Sequence, residues 1–192
     1  MVTLMSGGLD STVMAVLAKE AGVTQYPLFV NYGQRFLERE MAACEGIVSR
    51  FELPKLEIVD VRGYGRLIRS GLTDDRLDVV ADAFTPGRNA LFLLLGAAYA
   101  YSVGVNVVSI GLLNEETLLF PDQSNRFLQA SGTAFGLALD RNIEIVAPLR
   151  SFFKRDVIEL ARRKGISGTY SCHSGVEDPC GYCISCQEFK ED

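Results

Sequence analysis

Five short apolar or β-branched runs, each followed by a segment of helical period, fill most of this chain, and that alternation leaves few folds open. "VTLM" at 2–5 precedes a helical stretch ending at Gly22, and "YPLFVNYG" at 26–33 precedes the amphipathic "FLEREMAACEGIVSRF" of 36–51. "LEIVDV" at 56–61 follows; a long apolar helix from about Asn89 leads into "NVVSIG" at 106–111. A helix over 124–139 leads into "IEIVAP" at 143–148, and "KRDVIELARRKG" at 154–165 closes the series. Parallel strands can be joined only by crossovers, so strand, helix, strand, helix predicts an α/β fold with a doubly wound parallel sheet. Ligands of such sheets sit in the crevice at the carboxyl ends of the strands. Irregular stretches at about 63–86 and 112–123 fall just past strand ends; they are read as substrate loops, with plain solvated connections as the other reading.

A chain of 192 residues, nearly half of them hydrophobic, suffices for one substantial core with room for a small appendage. A net charge of -5 works against broad electrostatic binding to nucleic acid or anionic membranes, so a small ligand is the default partner. The start of the chain lacks the pattern of a secretion signal, which points to the cytoplasm. From Ala90 to Leu113 there is no charge, enough to raise the question of a membrane span. The run breaks at "SVGVN" and restarts as a β-branched strand, the hydropathy of a fully buried helix feeding a buried parallel strand.

The first strand runs directly into "SGGLDST", Ser6 to Thr12, and then into a helix. Two glycines let the main chain turn and let an anion approach without meeting a Cβ, with the positive end of the helix dipole behind. Ser6, Ser11 and Thr12 add hydroxyl donors, while Asp10 suits Mg2+ or the orientation of the loop. An ordinary Ser-Gly-Gly turn with a carboxylate in the first helical turn is the plainer alternative. Neither the Walker pattern nor G-x-G-x-x-G is present.

Four of the five cysteines crowd into "CHSGVEDPCGYCISC", with Cys172, Cys180, Cys183 and Cys186 in a C-x7-C-x2-C-x2-C spacing. In a chain read as cytoplasmic this is a metal signature and not a disulfide ladder. Four thiolates close a tetrahedral Zn2+ site with no open position, a structural site; an iron-sulfur cluster is the rival. His173, the only histidine, could displace a cysteine as ligand but reads better as an exposed loop residue, and Cys44 reads as a small buried hydrophobe. The chain therefore divides into an α/β domain over 1–165 that carries the glycine loop and a four-cysteine zinc-binding segment over 166–192.

The motif S-G-G-x-D-S in this context resembles the pyrophosphate-binding loop (PP-loop) of the N-type ATP pyrophosphatases. Together with "NYGQR" at 31–35, "PGRN" at 86–89, "PD" at 121–122, Lys154 in "FFKRDVIELA" and the cysteine tail, it resembles the 7-cyano-7-deazaguanine synthase (QueC) family over nearly the whole chain. The resemblance implies an adenine nucleotide alpha hydrolase-like, Rossmann-like fold and an ATP-dependent C-N ligase of queuosine biosynthesis. It implies a deazapurine carboxylic acid and ammonia as substrates, ATP, Mg2+ and Zn2+ as cofactors, and a homodimer. Ser6, Gly7, Gly8, Leu9, Asp10, Ser11 and Thr12 would then handle phosphates, and Tyr32, Gly33, Gln34 and Arg35 would lie beside the nucleotide. Asp10, Arg88 and Lys154 would carry the chemistry, and Arg88, Asn89 and Asp122 would face the acid. One departure concerns the substrate loop, where Asp122-Gln123-Ser124 stands in place of the family's usual Asp-Cys-Arg. A related enzyme acting on another carboxylate, or joining a deazapurine to a protein partner in antiviral defence, is therefore a second expectation. A non-catalytic ATP-binding module is a third, and a sulfur carrier using Cys183 or Cys186 is disfavoured by the acidic balance.

Overall fold

The computed structural model describes residues 1–190; Glu191 and Asp192, the end of the 166–192 segment, lie outside the described residues. All five strands form one parallel sheet in the order β3-β2-β1-β4-β5, with β1 at Val2–Met5, β2 at Tyr26–Asn31, β3 at Glu57–Asp60, β4 at Val107–Ser109 and β5 at Glu144–Val146. The crossovers are α1 (Leu9–Glu20), α2 (Leu37–Arg50), α4 (Arg88–Ser102) and α5 (Asn125–Leu139), and α6 (Lys154–Arg163) follows β5. Two short helices, α3 (Gly63–Leu67) and α7 (Ile184–Glu188), sit in the irregular regions. The doubly wound sheet expected from the alternation is thus present.

Side chains of a strand alternate between faces, and β1 shows how both are covered. Val2 and Leu4 pack with Leu93, Ala97 and Ala100 of α4 and Leu128 of α5. Met5 packs to the other side with Ala15 of α1 and Cys44 and Ile47 of α2, while Val13 and Met14 of α1 meet Val157, Ile158 and Ala161 of α6. Cys44 is fully buried, as read from its place in the helix. The chain moves outward from β1 to β3, then returns across the sheet to place β4 against β1. That reversal opens the crevice between β1 and β4 at their carboxyl ends.

One expectation fails here. The long helix α4 is not fully buried: Leu94 and Tyr101 are 44% and 54% exposed, because the sheet covers only one side of it and α5 another. No helix among the described residues is long and apolar enough to cross a membrane.

Candidate active site

A cavity of about 270 Å³ opens at the reversal point, floored by Leu4, Met5, Ile110 and Gly111. The loop after β1 forms its rim. Gly7 has φ +75°, and a Cβ there would stand 2.4 Å from the Glu40 carbonyl oxygen, so only glycine lets the loop lie against α2. The Ser6 N–H donates to Ser11 Oγ (3.2 Å), the Gly8 N–H donates to Ser6 Oγ (3.3 Å), and Ser11 Oγ donates to the Gly8 carbonyl (3.1 Å). Two of the loop amides are thus held by the loop's own hydroxyls. The amides of Leu9, Asp10 and Ser11 belong to the first turn of α1 and have no helix carbonyl to bond, which leaves an anion-binding rim.

Ser6, Gly8, Leu9, Asp10 and Ser11 line the cavity. Thr12 corrects the expectation of a third hydroxyl donor: it is fully buried and its Oγ1 donates to the Gly8 carbonyl at 2.8 Å. Gly7 acts from beneath the rim.

Lys154, the first residue of α6, reaches across to Asp10, with Nζ 3.0 Å from Oδ1 and 2.9 Å from Oδ2. The same ammonium lies 2.9 Å from Glu188 Oε2 and 5.0 Å from the centroid of the Phe189 ring. Burial works against its charge, but Asp10 and Glu188 more than offset this and hold the pKa above the ordinary lysine value. Arg88, first in α4, lies over the Tyr32 ring at 6.0 Å. Burial opposes its charge too, and Tyr32, Asp122 and Glu40 raise its pKa against that burial. Tyr32 is itself pushed up to about 12 by burial, with Arg88 pulling the other way.

The remaining expected residues divide. Asn89 lines the cavity and its Nδ2 donates to the Asp122 carbonyl at 3.1 Å, so Asp122 offers main chain to Asn89 and its carboxylate is not part of the wall. Gln123 takes the wall position, its Oε1 accepting from the N–H groups of Leu119 and Phe120 at 2.9 and 3.0 Å. Tyr32 and Gln34 line the cavity, but Gly33 packs towards Arg62, and Arg35 donates to the Gly71 carbonyl at 3.1 Å. Arg35 faces a separate groove with Arg66, Arg69 and Arg76, away from the nucleotide position expected for it.

Two wall residues were not legible as such. Glu40 lies in the apolar stripe of α2, one turn before Cys44, and a carboxylate in such a stripe was the signal available in the sequence. Burial pushes its pKa up to about 8, against the Gln34 hydrogen bond and Arg88. His173 is not an exposed loop residue: it lines the cavity and stacks on Phe36 at 5.5 Å with an interplanar angle of 23°. Burial, then Arg88 and Lys154, lower its pKa to about 4.

The four cysteine sulfurs lie within 4.8 Å of one another, with Cys180 Sγ 3.9 Å from Cys186 Sγ. Zn–S bonds of about 2.3 Å in a tetrahedron put sulfurs about 3.8 Å apart, so the donor set fits one tetrahedral ion; an iron-sulfur cube would spread the thiolates further. Backbone N–H groups of His173, Cys180 and Cys183 donate to Cys183, Cys172 and Cys180 sulfurs at 3.5, 3.4 and 3.4 Å. The segment does not hang free, because the Tyr170 N–H donates to the Gly7 carbonyl at 2.9 Å.

Comparison with known proteins gives the same direction. The family model described as queuosine biosynthesis protein QueC matches residues 1–191. The 7-cyano-7-deazaguanine synthase of Nautilia profundicola is 33% identical over 198 residues, covering 97% of this chain and 89% of the relative. The synthase of that name from Campylobacter concisus is 32% identical, with 97% and 90% covered. Among solved structures, the U34-tRNA thiolase NcsA from Methanococcus maripaludis, with its 4Fe-4S cluster, superposes with a TM-score of 0.62 at 17% identity. The alignment covers 98% of this chain and 62% of the thiolase, and at that identity it speaks for the fold alone.

Proposed function

This chain belongs to the QueC family, and from that premise we propose that it converts 7-carboxy-7-deazaguanine to 7-cyano-7-deazaguanine with ATP and ammonia. A carboxylate oxygen attacks the α-phosphate of ATP, giving the acyl adenylate and pyrophosphate. Ammonia adds to the acyl carbon, and AMP leaves with loss of a proton to give the amide. The amide oxygen then attacks the α-phosphate of a second ATP, expelling pyrophosphate as nitrogen loses one proton; loss of AMP and the second N–H proton from the adenylated amide leaves the nitrile.

Negative charge builds on departing pyrophosphate in both activations, and catalysis must meet it with fixed donors and cations. The first-turn amides of α1 would hold the β- and γ-phosphates, with Lys154 beside them. Arg88 and Asn89 would take the acid. Mg2+, when bound, neutralises phosphate charge, and Asp10 is the carboxylate at the rim that would hold it. Zn2+ in the Cys172, Cys180, Cys183 and Cys186 set would order the tail, which forms a wall of the cavity through Tyr170, Ser171 and Glu188. We place the reaction in the cytoplasm, where reduced thiols persist. The homodimer implied by the family has a candidate face on α4 and α5, where Leu94, Tyr101 and Leu137 are exposed; sedimentation as a monomer would overturn it.

The observation that carries the reading is one cavity, at the reversal point of the sheet, that gathers the glycine loop, Lys154 and Arg88. The test is incubation with ATP, ammonia and the acid, followed by mass spectrometry. Amide and nitrile products with AMP and pyrophosphate are expected; ATP binding with no product from this acid would sink the proposal.

A further inference from the structure

Among the wall groups that phosphate and carboxylate chemistry leave unused are Glu40 and His173. The Glu40 N–H donates to the Phe36 carbonyl at 3.1 Å, and the Phe36 ring stacks on His173, so one turn of chain brings both groups to the same wall. The Glu40 carboxyl is held in place. Gln34 Nε2 donates to its Oε2 at 2.9 Å and to the Val30 carbonyl at 3.3 Å, while Gln34 Oε1 accepts from the Tyr32 N–H at 3.0 Å. His173 Nδ1 is, among the described residues, the one buried side-chain nitrogen or oxygen with no hydrogen-bond partner. A desolvated acceptor at a cavity wall loses its water contacts with nothing returned until a ligand supplies a donor.

We propose that Glu40 and His173 form the edge that selects the heterocycle of the acid, reading a ring N–H beside an exocyclic amine, the guanine-type donor pair. This rests on the deazaguanine reading above and names the residues that would enforce it. A carboxylate has lone pairs to spare after one bond from Gln34 and presents two oxygens to two neighbouring donors. A small turn of the imidazole, with its proton on Nε2, would bring the buried Nδ1 to the ligand as a third acceptor. Two donors require the ionised carboxylate, and in that form it rejects the base of ATP, because adenine presents its single amine between acceptor nitrogens that would face it lone pair to lone pair.

The test compares 7-carboxy-7-deazaguanine with its analogue lacking the exocyclic amine, on wild type, Glu40→Gln, His173→Asn and His173→Phe. Wild type should prefer the acid that bears the amine by about 100-fold or more in kcat/KM, since a site built to bond a polar group rejects the analogue without it. Glu40→Gln should bring that ratio within about tenfold, leaving the KM for ATP and the metal content unchanged. His173→Asn, whose amide oxygen falls near the Nδ1 position, should keep the acid KM; His173→Phe, which keeps the stack on Phe36, should raise it about tenfold. If wild type turns over neither acid, the functional reading fails by itself, and calorimetric binding of the two acids to wild type and Glu40→Gln decides the edge by the same ratio. Unchanged discrimination in Glu40→Gln, or effects of Glu40→Gln and His173→Phe on ATP instead of the acid, would overturn the proposal.

Discussion

Lys154 and Asp10, separated by 144 positions in sequence, meet in a two-oxygen contact at 2.9 and 3.0 Å, each in the first turn of its helix. A carboxylate suits the amino end of α1, but an ammonium at the amino end of α6 opposes the helix dipole. Asp10 and Glu188 make that position tolerable for stability, and its value lies in the cavity it faces. Replacing Lys154 with Met should therefore lower the rate of pyrophosphate release at saturating ATP by about 100- to 1,000-fold, the loss typical of one fixed charge-stabilising group. A wild-type rate in that variant would remove Lys154 from the phosphate chemistry.

The glycines give a second prediction with a built-in control. Gly7 and Gly22 both hold positive φ, +75° and +70°, yet a Cβ at Gly7 meets the Glu40 carbonyl oxygen at 2.4 Å while one at Gly22 meets nothing within 4 Å. Gly22→Ala should cost about 1 kcal/mol, the backbone term alone, and keep activity. Gly7→Ala adds the clash and should cost more than about 2 kcal/mol with loss of ATP binding. Urea midpoints for the two variants check this; equal costs would mean that the loop can move off α2.

The strands and the cysteine cluster were legible in the sequence for physical reasons. Strands covered on both faces need apolar or β-branched runs, and a structural metal set drawn from closely spaced cysteines leaves its spacing in the chain. What could not be read is direction. Arg35 and Arg88 carry the same charge after a strand or loop, but the turn at Gly33 sends Arg35 to a separate groove while Arg88 enters the cavity. Hydropathy likewise reports what α4 is made of, not which side the sheet covers, so the exposure of Leu94 and Tyr101 was invisible. His173 lacked any local pattern, since the ring that holds it, Phe36, comes from the far end of the chain.

Metal removal should act on the active site as well as on the tail. Apparent binding free energies of structural zinc sites are on the order of 10 kcal/mol, enough to order a segment whose one helix among the described residues is the short α7. That segment supplies Tyr170, Ser171, His173 and Glu188 to the cavity, and Glu188 to Lys154. Chelation, or Cys183→Ser, should therefore abolish ATP binding together with the metal, and elemental analysis should find zinc without the visible absorption of an iron-sulfur cluster. ATP affinity that survives complete metal loss would show that the wall stands without the ion.

The Glu40 carboxyl makes stability depend on pH in the direction opposite to a paired carboxylate. Its pKa is about 8 in the fold, raised by burial, against an ordinary value of 4.5. The groups that face it electrostatically are Arg88, Tyr32 and the Cys44 thiol. Between these two values the folded chain keeps a proton that the unfolded chain has released, so this group's contribution to stability falls as pH rises and levels off above about 8. The fall is at most about 1.4 kcal/mol for each pH unit, and Glu40→Gln, which cannot ionise, should lack it. Urea denaturation of both proteins in steps of about one unit from pH 5 to pH 8 measures the difference; parallel curves would mean that the folded carboxyl is already ionised. Binding of a donor edge favours the ionised form, so the affinity for the acid should rise over the window in which stability falls, the same proton being lost in each case.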